Sequence, residues 1–154
     1  MPEVNFVDPR RKARMLTLQC LFGMDLRDWS QEIPLEWLIE DDPIPTGTKE
    51  FAQGLIQGVQ EGLAQLDSVI HKYAPAWPID QLSVVDRNVL RIALFELMFR
   101  KDTPRKSAVN EAVELAKAFG SESSSRFVNG VLGSIMLDLE SGELVVDQPV
   151  YEGS

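Results

Sequence analysis

The hydrophobic positions of residues 83–100, SVVDRNVLRIALFELMFR, predict a helix that is covered on two sides. At about 100° per residue, one apolar face contains Val89 and Ile92, and a second, nearly opposite face contains Leu90 and Leu94. A helix with two apolar faces needs neighbours on both sides. We therefore expect this segment at the centre of the fold.

The polar residues of this helix support two further predictions, one about its N-terminus and one about its surface. Ser83 is expected to be the N-cap, with Asp86 as the acid of a capping box. Arg87 and Arg91 are four residues apart and fall on one of the remaining stripes. Because side chains at this spacing share a helix face, they predict a basic seam that faces solvent or a partner.

Glu96 projects among apolar residues of the same helix. A charge there is costly unless it is paired. Arg100, one turn later, is the nearest candidate partner. We expect an internal structural charge at this position.

Helical spacing recurs along the rest of the chain. Asp8-Pro9 predicts the start of a helix, and Gly120 predicts the end of another. Gly54, Gly58 and Gly62 form a stripe along which another helix should pack closely. No segment alternates with period 2 over a strand's length. The fold class is therefore all-α with about seven helices, at 9–26, 34–39, 48–73, 79–82, 83–100, 104–119 and about 124–139.

The chain's 154 residues suit one domain or two small subdomains that share a core. Pro75 and Pro78 mark the expected boundary, which gives two three-helix subdomains at about 8–74 and 78–140. We expect residues 141–154 to be a mobile acidic tail.

Composition restricts the chemistry. No apolar run is long enough for a membrane span, and the N-terminal residues do not resemble a signal peptide, so we expect a cytoplasmic protein. Cys20 is the chain's one cysteine and His71 its one histidine, which leaves no donor set for a typical zinc site. Cys20 should be a buried, inert thiol, and His71 an exposed helix-end residue. No catalytic motif occurs, so we expect neither an enzyme nor a cofactor.

The net charge of −9 argues against nucleic acid as a partner, but its distribution does not. Residues 27–50 carry seven acidic and two basic side chains, and residues 138–154 carry five acidic and no basic ones. In contrast, residues 10–14 read RRKAR. A local phosphate-binding patch is therefore allowed.

The basic cluster has two interpretations. Four cations in five residues near an N-terminus are often only a solubilising end. However, cations at a helix N-terminus oppose the helix dipole at about 0.3–1 kcal/mol each, and helical spacing places Arg11 and Arg14 beside Leu18 and Phe22, away from the core face. A binding role would explain both facts, because arginine contacts phosphate and phenylalanine stacks on a base or docks a protein.

Four segments resemble the NusB family of transcription antitermination factors. They are RRKAR (10–14), VLRIALFEL (89–97), VNEAVELAK (109–117) and RFVNGVL (126–132). Their order and spacing agree over roughly residues 9–137. The resemblance implies an all-α fold without enzymatic activity, a complex with the ribosomal protein NusE, and binding of that pair to single-stranded boxA RNA in nascent ribosomal RNA transcripts, within an antitermination complex with RNA polymerase.

The resemblance also implies functional positions in this chain. The family's RNA-binding motif matches Arg10, Arg11, Lys12 and Arg14, to which we add Arg91 and Phe127. The positions that resemble NusE contacts are Phe22 and Asp86. The chain departs from the family pattern at residues 27–50, which are longer and more acidic than expected, in its acidic tail, and at serines 123–125, which lack an acid.

Two other functions stay open. The chain could be a NusB-like accessory domain of an RNA-modifying methyltransferase system, or a protein-only helical adaptor whose basic cluster is solvated. Apolar residues on the outer side of the first helix also allow a homodimer without a partner. Binding of boxA-type RNA with and without NusE distinguishes the antitermination factor from the adaptor.

Overall fold

Seven α-helices and one 3-10 helix form the regular structure of residues 8–146, the part of the chain that the computed structural model describes. Within that range there is no strand, and no helix is long and apolar enough to cross a membrane. Most of the expected acidic tail, residues 147–154, lies outside the described residues. The α-helices are α1 (Pro9–Leu26), α2 (Leu35–Ile39), α3 (Thr46–Glu61), α4 (Leu63–Tyr73), α5 (Val84–Phe99), α6 (Arg105–Phe119) and α7 (Ser124–Ser141), with the 3-10 helix Ile79–Gln81 before α5.

The predicted capping residues set the helix ends. Asp8 Oδ1 accepts hydrogen bonds from the backbone N–H groups of Arg10 (2.9 Å) and Arg11 (3.3 Å), which starts α1. Ser83 Oγ accepts from the N–H of Asp86 at 3.0 Å and starts α5. Gly142, with φ of 83°, ends α7 in the left-handed conformation that glycine adopts without strain.

The prediction of one long helix at residues 48–73 is wrong, because this segment forms two helices, α3 and α4. The chain bends at Gly62, whose φ of −98° and ψ of 13° end α3 and begin α4. Glycine is a poor residue for a helix interior, so a bend there loses little helix stability. The first of the two, α3, also begins two residues before the predicted start, at Thr46, so Thr48 is a buried residue inside it.

Helix α5 is the centre of the fold, as its pattern predicts. Every residue from Asn88 to Met98 is buried, and α5 packs against α1, α3, α4, α6 and α7. The buried apolar side chains form one continuous core with members from residues 8–74 and 78–140. The division into two subdomains stays a prediction.

The glycine stripe allows α3 to approach α5 closely. A Cβ atom added at Gly58 would overlap the ring of Phe95, and one at Gly54 would overlap the guanidinium of Arg100. Both contacts confirm the close packing that the stripe predicts.

We predict opposite effects for two glycine-to-alanine changes in helices. Gly58→Ala should lower the free energy of unfolding by about 1–3 kcal/mol, because the new methyl group overpacks the contact with Phe95. Gly133→Ala, with open space around the new Cβ, should raise it by about 0.4–1 kcal/mol by restricting the unfolded chain. Urea denaturation monitored by circular dichroism measures both. Equal effects would contradict the close contact.

Candidate nucleic-acid interface

The first turn of α1 presents three basic side chains at the surface, and each has a carboxylate partner. Arg10 and Arg11 are exposed, and Lys12 is half-buried. The partners belong to different elements, and the pairs are Arg10–Asp102 (3.1 Å), Arg11–Glu111 (2.9 Å) and Lys12–Asp42 (3.3 Å). Exposed ion pairs of this kind contribute about 0–1 kcal/mol. A phosphate group can therefore replace such a carboxylate at little cost.

The Arg11–Glu111 pair is the most ordered of the three. Arg11 Nε and Nη2 donate to the two carboxylate oxygens of Glu111 at 3.0 and 2.9 Å. This hydrogen bonding raises the pKa of Arg11 and lowers the pKa of Glu111. The carboxylate is also 3.9 Å from Arg14 Nη1, so Glu111 connects an exposed arginine to an interior one.

A groove of about 630 Å³ begins beside Arg11 and runs between α6 and α7. Its polar lining includes the donors Arg11 from α1, Asn110 and Lys117 from α6, and Arg126 and Asn129 from α7, together with the carboxylates Glu111 and Glu114. Lys117 pairs with Glu114 at 3.7 Å. Guanidinium, ammonium and amide groups are hydrogen-bond donors that suit phosphate oxygens and base edges. Sequence reasoning missed the contributions of Asn110, Lys117 and Asn129. These residues belong to two helices and line the same groove only because of how α6 and α7 pack.

Phe127, the predicted aromatic of this surface, is half-buried. Its ring packs against the hydrophobic core from the start of α7. Arg126, the preceding residue, lines the groove, whereas Phe127 is not among the lining residues. Part of the ring remains accessible for a stacking contact.

Arg14 is not on the outer face of α1, contrary to the prediction. It is 5% exposed, and its Nε and Nη2 donate to the two oxygens of buried Glu96 at 2.7 and 2.8 Å. The expected Glu96–Arg100 pair is therefore also wrong. The Arg100 guanidinium instead lies over the rings of Phe51 and Phe95, at 5.1 and 5.8 Å from their centroids.

Arg14 is interior because α1 has neighbouring helices on several sides. This helix packs against α3, α5 and α6 together, so Leu18, which was also expected outside the core, is buried as well. Arg14 and Leu18 are therefore interior although they lie opposite the most apolar face of α1.

Arg91 is also interior, so the predicted basic seam on α5 is wrong. The side chain is 3% exposed. Its Nε and Nη2 donate to Asp67 of α4 at 2.7 and 2.9 Å, and its Nη1 donates to Asp25 of α1 at 2.9 Å. The ring of Trp29 covers the guanidinium at 5.5 Å. Arg91 therefore joins three helices and offers no open donor face to a phosphate.

Asp25 is the carboxylate that this second network shares. Arg87 donates to both of its oxygens at 2.7 Å, and Asn88 Nδ2 donates to Oδ2 at 2.8 Å. Burial opposes ionisation of Asp25, but these hydrogen bonds outweigh that effect and lower its pKa. Asp25 is therefore ionised at neutral pH and fixes the last turn of α1 to the first turn of α5.

The two predicted partner-binding residues lie at this end of α1. Phe22 is 37% exposed, and Leu26, one turn later, is 60% exposed. Asp86 directly precedes Arg87, and its Oδ1 is buried without a hydrogen-bond partner among residues 8–146. The Asp25–Arg87 pair holds the last turn of α1 beside the start of α5, the two helix segments that carry Phe22 and Asp86.

Cys20 takes no part in either surface. The side chain is fully buried, and this burial raises the pKa of its thiol to about 11, which confirms the prediction of an inert cysteine. His71 is exposed near the end of α4, as predicted. Among residues 8–146, no group of His, Cys, Asp and Glu is arranged to hold a metal ion.

Comparison with known proteins gives consistent matches over most of the chain. The NusB family model matches residues 11–137. Transcription antitermination protein NusB of Dehalococcoides mccartyi (strain CBDB1) is 48% identical over 126 residues, which is 82% of this chain and 88% of that protein.

Solved structures of NusB proteins are also similar to this chain. A T. maritima NusB structure matches with a TM-score of 0.75 at 38% identity, over 90% of this chain and all of that one. A chain of a crystal structure of antitermination factors NusB and NusE in complex with dsRNA matches with a TM-score of 0.73 at 30% identity, over 84% of this chain and 97% of that one.

We predict that the buried and exposed arginines of α1 differ in their effect on stability. Arg14→Met should lower the free energy of unfolding by about 3–5 kcal/mol, because it leaves the carboxylate of Glu96 buried and unpaired. Arg10→Met, which removes an exposed pair, should change it by less than about 1 kcal/mol.

The double change Arg14→Met/Glu96→Leu should recover much of the loss, since no unpaired charge remains. Guanidinium denaturation of all three variants gives the comparison. An Arg14→Met protein as stable as Arg10→Met would show that the interior pair is not formed.

Proposed function

The chain belongs to the NusB family of transcription antitermination proteins, and from this premise we propose that it binds boxA-type single-stranded RNA together with the ribosomal protein NusE. In this role it joins the antitermination complex on RNA polymerase in the cytoplasm and suppresses premature termination of nascent ribosomal RNA. The observation that carries the proposal is the groove between α6 and α7, which begins at the cations of α1 and collects donors from three helices. The similarity to a chain of the solved NusB–NusE complex with dsRNA supports NusE and RNA as the two partners.

In this proposal, the RNA surface consists of the start of α1 and the groove. Arg10 and Lys12 contact phosphates by exchanging their exposed carboxylate partners for the RNA backbone. Arg11 keeps its pair with Glu111 through Nε and Nη2 and contacts a phosphate through its remaining donors. Arg126 adds a cation on the α7 side of the groove, whose lining also contains Glu111 and Glu114. The accessible edge of Phe127 stacks on a base, an interaction that contributes about 1–3 kcal/mol.

Arg14 and Arg91 receive a different role from the one their sequence positions suggest. Both are interior and saturated by carboxylates, so we assign them to positioning rather than to direct contact. Arg14 lies 3.9 Å from Glu111, which in turn holds Arg11. Arg14 thereby helps to orient Arg11 toward the groove.

The NusE surface is placed at the opposite end of α1. Phe22 and Leu26 supply the exposed apolar contact, and Asp86 contributes a carboxylate whose buried Oδ1 has no hydrogen-bond partner among residues 8–146. An 18-residue helix spans about 27 Å. The two partners therefore bind at separate places and can be held simultaneously.

We predict that removing one groove cation weakens RNA binding specifically. Arg11→Gln should reduce affinity for labelled boxA RNA about 3- to 30-fold and lower the slope of log affinity against log salt by about one, as expected for one lost phosphate contact. Fluorescence anisotropy across a salt series, with and without NusE, measures both quantities.

Lys72→Gln is the matched control, because Lys72 is an exposed cation on α4 that does not line the groove. It should leave the affinity nearly unchanged. Equal losses in the two variants, or no RNA binding by the wild-type protein at low salt with NusE present, would contradict the proposal and favour a protein-only adaptor.

We predict that Phe22→Ala weakens binding to purified NusE by tenfold or more, because truncating an aromatic hot-spot residue at an interface costs about 2 kcal/mol or more. Leu137→Ala truncates another exposed apolar residue, on α7, which is 65% exposed, and should have no effect on NusE binding. Isothermal titration calorimetry compares the two, and circular dichroism confirms folding. A larger loss with Leu137→Ala would place the interface elsewhere.

A further inference from the structure

The loop between α2 and α3 holds a carboxylate against the proposed RNA surface. Glu40, Asp41 and Asp42 are consecutive, and Asp42 Oδ2 lies 3.3 Å from Nζ of Lys12 in the first turn of α1. We propose that Asp42 acts as an internal phosphate mimic that competes with RNA for Lys12. This inference rests on the proposed function, because it names a regulator of that same binding surface.

The geometry allows exchange of this carboxylate. The side chain of Asp42 is 74% exposed and that of Lys12 34% exposed, so water reaches both groups and the pair is weak. A phosphate oxygen carries the same charge as the carboxylate and accepts the same hydrogen bond. RNA can therefore take the place of Asp42 without opening the core.

The loop also keeps the competitor close. Pro43 and Pro45 follow Asp42 on alternate positions, and each fixes its own φ angle. Pro45 directly precedes α3, whose start is in turn held by the core contacts of Thr48 and Phe51. The carboxylate thus remains near α1 without being buried itself, which keeps its local concentration high when no RNA is bound.

Glu111 differs from Asp42 although it also pairs with a cation of the surface. It binds Arg11 through two hydrogen bonds, its side chain is only 22% exposed, and it contacts the interior Arg14. Glu111 therefore serves as a structural support for Arg11. Asp42 has a single contact, to the half-buried Lys12, and nothing else in residues 8–146 hydrogen-bonds to its carboxylate.

The consequence is a threshold for RNA binding. An RNA that offers one phosphate at the start of α1 gains little, because it only replaces a contact that already exists. An RNA that also fills the groove and stacks on Phe127 gains contacts that no internal group supplies. Competition at Lys12 lowers the affinity of both kinds of RNA by a similar factor, so an RNA that offers only the one phosphate is left with little net binding.

The test is the RNA affinity of Asp42→Asn. It should bind labelled boxA RNA, in the presence of NusE, about two- to fivefold more tightly than the wild-type protein at low salt, the range expected for loss of one exposed ion pair. The gain should shrink as salt is added, because exposed charges are screened.

Asp80→Asn is the matched control. Asp80 is exposed beside Arg87, which pairs with Asp25 in the last turn of α1, at the far end of that helix from Lys12. That separation exceeds the Debye length of about 8–10 Å, so removing this charge should leave RNA affinity unchanged. An equal gain in both variants would overturn the inference in favour of net charge alone.

A double-mutant cycle assigns the effect to Lys12. In a Lys12→Gln background, Asp42→Asn should give no further gain, because the competitor has lost its target. A gain that persists there would overturn the inference. If the wild-type protein binds RNA and Asp42→Asn binds no better, the inference fails and the proposed function stands. If no variant binds RNA, both fail.

Discussion

The buried ion pair between Arg14 of α1 and Glu96 of α5 is the interaction on which the arrangement of the proposed RNA surface depends. Two charge-assisted hydrogen bonds of 2.7 and 2.8 Å fix one helix against the other inside the core. A pair of this kind adds little net stability compared with apolar packing, but removing one partner is very unfavourable. It therefore acts chiefly as a constraint on register. Through Glu111, the same constraint reaches the surface and orients Arg11.

A second buried network fixes the other end of α1. Asp25 receives hydrogen bonds from Arg87, Asn88 and Arg91, and Arg91 extends the network to Asp67 on α4. Helix α1 is thus fixed at both ends to the central helix. A cationic surface extends from its first turn, and an apolar patch lies by its last turn. The proposed function uses this rigid separation, because an adaptor must hold RNA and protein in a defined relative position.

Much of the fold could be predicted from local pattern. The two apolar faces of α5 indicated its central place, and capping at Asp8 and Ser83 set two helix starts. The positions of Arg14 and Arg91 could not be predicted, because a helical projection gives the direction of a side chain but not which neighbouring helices cover it. The partner of Glu96 is 82 residues away in sequence, while the candidate that sequence offered was one turn away. The groove likewise depends on the packing of α6 against α7, for which no local signal exists.

The central claim is that exposed cations of α1 bind RNA while interior ones hold the fold. NMR spectra of arginine Nε–Hε groups, recorded as boxA RNA is added to the complex with NusE, test it most directly. The account predicts that the signals of Arg10 and Arg11 shift with RNA concentration, while those of Arg14 and Arg91 keep their positions. Shifts of Arg14 and Arg91 without any change at Arg10 and Arg11 would contradict it.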